Sequence, residues 1–263
     1  MSKDASPISL HQASEFIRKF TDAGGNSTDL QNVIESRQNV IAPILVQRIR
    51  DFYMSVDLSK AMDLIDYITP NDLREHLDKV HSPSSAMMQE LLVLGRVPFP
   101  VVTLQTRKRA DYFLIPVGPF TLGELCANFE RHIEVASSLT EENVNWGQKV
   151  SKAWRWVLFC KNVLPRSIGY SLSYHWDFAR DEEVQIANEA EVLYCTLMWL
   201  LVKKERLFQN VLVTGGGYIK LPGSNPRYLC IGEFKRDRIR LVDAEVPDAG
   251  IGAATIIRPI DNP

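Results

Sequence analysis

The 263-residue chain has no excess of one charge: 30 Lys and Arg stand against 32 Asp and Glu, a formal net charge of -2. Composition therefore singles out no ligand class. Cysteine is scarce. Cys126, Cys160, Cys195 and Cys230 lie far apart, which excludes a CxxC metal or redox pair and a disulfide miniprotein. Each follows an apolar residue, the pattern of buried free thiols in a reducing compartment. Long apolar runs are missing too. The longest, Leu193 to Val202, is half of the roughly 20 residues that a spanning helix needs. The opening residues carry no apolar stretch after Lys3, so we expect no signal peptide, no membrane partner and a cytoplasmic, intracellular location. Glycine and proline, 14 of each, are too few for a collagen or a low-complexity chain.

Common catalytic signatures are absent as well: there is no Walker A loop and no GxSxG elbow. Glu75-His76 and His81 do not make HExxH, because the second histidine falls five residues on. Five residues turn a helix by roughly 140° net, so the two would not share a metal. His132 stands between Glu130 and Glu134, but alternate residues do not share a helix face. No motif calls for a cofactor or a metal, and no residue is singled out as catalytic.

What is present begins with helical patterns over the first 95 residues. Ser9 and Gln12 form a capping box, followed by Leu10, Ala13, Phe16, Ile17 and Phe20 at helical spacing, with Gly24-Gly25 as the stop. A second helix starts near Asp29 and is kinked or split at Pro43. Thr69-Pro70 and Ser82-Pro83 pair an N-cap with a first-turn proline, opening helices over about 70–80 and 83–94. Residues 97–118 read as a β-hairpin: Val101, Val102 and Leu104, a basic turn, then Tyr112 to Val117. Helices are expected over about 122–137 from Thr121 and Glu124, over about 140–163, and from Glu182 to Phe208. The last 55 residues are β-rich. Strands and helices look segregated, so the expected class is α+β, with a helical region at 1–95 and an α+β region at 96–263 packed against it.

Four features carry functional readings. Val211 to Ile219 resembles a nucleotide-binding strand and glycine turn, but Lys220-Leu-Pro-Gly-Ser-Asn-Pro226 cannot open the helix that a pyrophosphate site needs. A hairpin with a three-glycine loop is the simpler reading. In Tyr174-His-Trp-Asp177, His175 beside a carboxylate suits either acid–base work or a packed, hydrogen-bonded core. The cysteines, spaced 34, 35 and 35 residues apart, do not mark a repeat, because the fourth heads a strand pattern.

The fourth is Glu233-Phe-Lys235, after an apolar strand. It resembles the second half of the PD-(D/E)xK nuclease motif, which implies a metal-dependent nuclease using Glu233 and Lys235. Residues 206–232, however, hold no acid to complete the metal site. Around it runs a basic segment: Lys203, Lys204, Arg206, Lys220, Arg227, Lys235, Arg236, Arg238 and Arg240, interleaved with Tyr218, Tyr228 and Phe234. This is a pattern for phosphate contact and base stacking. Residues 177–191 are acidic, so the two segments also suit contact between proteins or between copies. Trp154 and Trp156, two apart on an expected helix, cannot share one core, which assigns one of them to an interface. The function expected is non-enzymatic: an intracellular interaction or assembly protein with a protein partner or self-association, and with nucleic acid as a candidate ligand of the basic segment. The nuclease is the alternative.

Overall fold

The computed structural model describes residues 55–77, 85–164, 166–208, 211–219, 227–235, 238–245 and 251–259. They belong to one compact unit, Ser55–Pro263. The helices expected between Ser9 and Phe52 lie outside the described residues.

Within this unit the segregated α+β architecture is overturned. Seven helices and eleven strands occur among the described residues, in about equal measure, and most strands join one mixed nine-stranded sheet. The described residues between 55 and 95 are not a helical region. β1 (Val56–Asp57), α1 (Leu58–Leu64), β2 (Asp66–Tyr67), α2 (Pro70–Leu77) and α3 (Ser85–Leu92) alternate there. Then come β3 (Arg96–Val97), α4 (Val101–Arg109), β4 (Tyr112–Val117), α5 (Leu122–Asn128), β5 (Ile133–Val135) and β6 (Arg155–Val163). After β6 follow α6 (Leu172–Asp181), β7 (Gln185–Ile186), α7 (Glu189–Lys203), β8 (Leu212–Ile219), β9 (Arg227–Lys235), β10 (Arg238–Glu245) and β11 (Ile251–Ile257).

The strand order is β2-β4-β6-β11-β8-β9-β10-β5, with β7 also on β11. The β2–β4, β11–β8 and β10–β5 pairs are parallel; the other neighbours are antiparallel. Register is set by two-sided burial. Along β4, Phe113, Ile115 and Val117 enter the larger core, and Tyr112 and Leu114 enter a second core on the other face. Phe113 pairs with Phe159 of β6, their rings edge-to-face at 5.8 Å. α7 covers the first face against β4, β8 and β9, while α1 and α4 pack on the second.

Two expected elements are shorter than expected: the helix over 122–137 stops at Asn128 and β5 occupies Ile133–Val135, and the helix from Glu182 begins at Glu189, after β7. Two others change type. The hairpin over 97–118 is instead α4 followed by β4. Val101 and Val102 favour strands, but propensity is a weak prior. Here a single helical face, centred on the fully buried Leu104, is what the second core takes up, and Val102 is left exposed. The long helix over 140–163 is instead a run of turns followed by β6. Trp156-Val-Leu-Phe-Cys160 is apolar throughout because β6 is buried on both faces, which erases the alternation that separates a strand from a buried helix. Trp154 and Trp156 are consequently not on a helix. They are 7% and 1% exposed and lie in different cores, Trp154 against Gly118 and Phe120 and Trp156 among Leu114 and Leu158.

Local signals positioned the rest. Thr69 caps α2 reciprocally with Asp72, at 2.8 and 3.1 Å. Thr121–Glu124 and Asn188–Glu191 form full capping boxes at α5 and α7. No described helix is long and apolar enough to cross a membrane.

Candidate functional site

The three glycines 215–217 are not a hairpin loop. They lie inside β8, where the pairing with β9 shifts between Thr214 and Tyr218. The bulged backbone leans onto the start of α7. Buried Glu189 accepts the N–H of Gly215 at 3.2 Å, that of Gly217, and the Gln148 amide at 3.1 Å. A Cβ at Gly215 would run into the Ala187 carbonyl and one at Gly217 would lie 2.6 Å from the Glu189 carboxylate, so the glycines permit this approach. Two residues on, buried Glu191 accepts from both Nε and Nη2 of Arg258. This polar layer is satisfied from within the chain and holds the helix start on the sheet.

The basic segment is dispersed. Arg227 pairs with Asp243 at 2.5 Å and Glu245 at 3.5 Å, Arg238 donates to the Glu130 and Ile133 carbonyls at 2.6 Å each, and Arg240 faces Glu134 at 4.0 Å. These arginines fasten β9, β10 and β5 together. Lys203 and Lys204 close the C-terminus of α7. Lys203 lies over the Tyr67 and Trp199 rings at 5.1 and 5.9 Å, and Lys204 donates to the Leu201 carbonyl. Arg206 lies over Phe234 at 5.4 Å. Lys220 and Arg236 lie outside the described residues. Glu233 and Lys235 occupy β9, and nothing is described of their side chains. Among the described residues no group of three or more His, Cys, Asp or Glu is arranged to hold a metal.

The candidate nucleophiles and bases are quiet. His175 is fully buried with Nε2 2.8 Å from the Ser167 carbonyl, and burial lowers its pKa, so the ring is held neutral. Asp177 turns away to Arg180 at 2.7 Å, because residues two apart on a helix diverge. Burial pushes the Cys126 thiol up to about 12 and raises those of Cys160 and, strongly, Cys195. Cys126 borders a cleft of about 830 Å³ between α5 and the 139–147 turns, which Trp146 and Glu141 also line.

The most distinctive surface is one that sequence reasoning missed. Leu164 N–H donates to Ala253, Gly169 N–H to Ile251, and Ala253 N–H to Ser167 Oγ, pinning the 164–169 turn to β11. His175 then locks the turn to α6. On this base Tyr170, Tyr174 and Trp176 stand 47%, 53% and 55% exposed, with Ile168 beside them. Tyr170, Tyr174 and Phe178 form a triangle of rings with centroids 5.7, 6.2 and 5.6 Å apart. The four-residue spacing of these aromatics is the signal the sequence offers, in a stretch between the helices expected over about 140–163 and from Glu182 where no element is expected. No family model, no curated protein and no solved structure matches this chain.

Proposed function

We propose that the chain is a non-enzymatic, intracellular interaction protein, and that its contact with a protein partner runs through the aromatic side of α6 and the turn before it. The observation that carries this reading is the exposure of Tyr170 and Tyr174, joined with Phe178 in one triangle of rings, on a base fastened by buried hydrogen bonds. Large aromatics of this kind are enriched at protein interfaces, and contiguous exposed apolar patches mark contact sites. A rigid base spares the surface an ordering cost on binding. The raised thiols and the neutral, buried His175 also favour a role without covalent or acid–base chemistry. The four free cysteines suit a reducing compartment.

Nucleic-acid binding through the basic segment draws less support, because Arg227, Arg238 and Arg240 are engaged by carboxylates and carbonyls of the same chain.

The test is a photo-crosslinking amino acid at position 174, with position 105 on α4 as the control, in the full chain inside cells. A discrete protein adduct, or a dimer of this chain, formed at 174 and not at 105 is the expected result. Equal labelling from both positions, or none from 174, would overturn the reading.

A further inference from the structure

The face that the proposed function uses is negatively charged as well as aromatic, and that narrows what fits it. Tyr174 and Phe178 lie four residues apart along α6, and Asp177 and Asp181 each follow one of them by three, so rings and carboxylates neighbour one another on the helix surface. Glu182 and Glu183 continue the acidic run at the helix end, and all four acids are exposed. Against these acids, residues 166–183 carry two arginines, the exposed Arg166 in the turn and Arg180, already paired with Asp177, so acids outnumber cations four to two. The C-terminus of the ten-residue α6 adds the negative end of its dipole at Asp181. Carboxylates and the helix terminus thus make the C-terminal end of α6 negative, and the ring faces of Tyr174 and Phe178 carry the attraction for a cation back along the helix.

We infer that this surface receives an arginine-bearing segment of a partner protein, with one guanidinium stacked on the Tyr174 ring and a second hydrogen-bonded to the Asp181 carboxylate two turns further along α6. Arginine fits better than lysine because its planar group stacks on a ring face and presents paired donors to a carboxylate, while an ammonium meets either as a point charge. A chain segment fits better than an isolated cation because the aromatic triangle extends beyond one guanidinium, and apolar flanking atoms would cover Tyr170 and Ile168. Trp176 lies about 200° around the helix from Tyr174, on the other flank, and takes no part in this contact. The inference rests on the contact face proposed above and adds the chemistry of its occupant.

The probe is a short, blocked, fluorescent peptide of alternating arginine and glycine, titrated against the full chain by anisotropy, with lysine and glutamate versions alongside. The arginine peptide is expected to bind, the lysine peptide more weakly and the glutamate peptide not at all, with binding weakened as salt rises from about 0.05 to 0.3 M. Tyr174→Ala should lower affinity about threefold to fivefold, the range of an exposed cation–π contact. Tyr174→Phe should retain it, since the ring face remains. Asp181→Lys should abolish it, and Trp176→Ala should leave it unchanged. Tyr174 and Asp181 are surface residues, and an unaltered circular dichroism spectrum checks that each variant is folded. Lack of saturable binding up to about 1 mM would overturn the inference. So would equal binding to the Tyr174→Ala and Asp181→Lys variants, or a preference of this face for single-stranded oligothymidine over the peptide. A specific protein crosslink at position 174 without arginine-peptide binding would leave the contact face standing and remove the arginine assignment alone. Loss of both would remove both.

Discussion

Arg258, the first residue past β11, holds Glu191 in the first turn of α7 through two donors, Nε at 2.9 Å and Nη2. The Glu191 side chain is almost wholly buried. The end of β11 and the start of α7, 67 residues apart in the chain, are thereby tied together, and Glu191 also faces Arg155 of β6 at 3.9 Å. A carboxylate in this position is stabilising only while its partners remain. Arg258→Ala should destabilise the protein by about 3 kcal/mol, and Glu191→Leu with Arg258→Met should recover much of that loss. Urea unfolding midpoints with unchanged slope would check both; a loss below measurement error in the single variant would refute the assignment.

Gly217→Ala should cost about 2 kcal/mol or more, because the new methyl would meet the Glu189 carboxylate, itself held by two backbone amides and Gln148. Gly147→Ala is the comparison, since its nearest atom lies at 3.6 Å, ordinary contact distance. Thermal unfolding should drop for the first and stay for the second. Equal melting temperatures would show that the β8 glycines are not needed for this approach.

Stability should fall with acidification through His175. Its native pKa lies below the usual histidine value of 6.5 because burial disfavours the charged ring. Below about pH 6.5 the unfolded chain therefore binds a proton that the native chain refuses, and unfolding gains in favour. The contribution is complete above that pH and is lost progressively toward the lower native pKa. His132 is depressed in the same direction, so the comparison must be made against His175→Gln. That variant should be less stable at neutral pH and show a shallower decline between about pH 6.5 and 5. An identical slope in both proteins would assign the pH dependence elsewhere.

Thiol labelling should be slow. Cys160, Cys195 and Cys230 are buried, and the thiol of the half-buried Cys126 is raised to about 12. In native protein at about pH 8 iodoacetamide should modify none of the three buried cysteines and should reach Cys126 first and slowly, because the thiolate is the reactive form. Mass spectrometry after timed quenching reads the order. Rapid labelling of Cys195 in folded protein would contradict its place in the core.

Arg238→Ala should loosen the β5–β10 edge, since its guanidinium bridges the Glu130 and Ile133 carbonyls. A cost of about 1 kcal/mol is expected, together with faster amide exchange at Ile133 to Val135. Unchanged exchange there would show that the bridge contributes nothing.

What the sequence determined by itself is local. The Thr121–Glu124 capping box, Pro70 in the first turn of α2 and the alternating apolar runs near the C-terminus act over a few residues, and their outcomes follow from backbone hydrogen bonding and steric preference alone. Tertiary structure decided the remainder. Residues 156–160 are apolar on every side, so only the arrival of β4 and β11 on their two flanks makes them a strand. Val101 and Val102 give up their strand preference because one helical face, not one strand face, meets the second core. The mixed order of the sheet joins β2 to β4 and β8 to β11, partners distant in the chain, and no short-range pattern encodes such pairings. The same holds for the surface of α6. Tyr170, Tyr174 and Phe178 carry a helical spacing in the sequence, yet aromatics at that spacing ordinarily face a core. Here His175 and Ala179 take the inward positions, anchored by Ser167 and β11, and that competition for the buried side of one short helix turns the tyrosines outward.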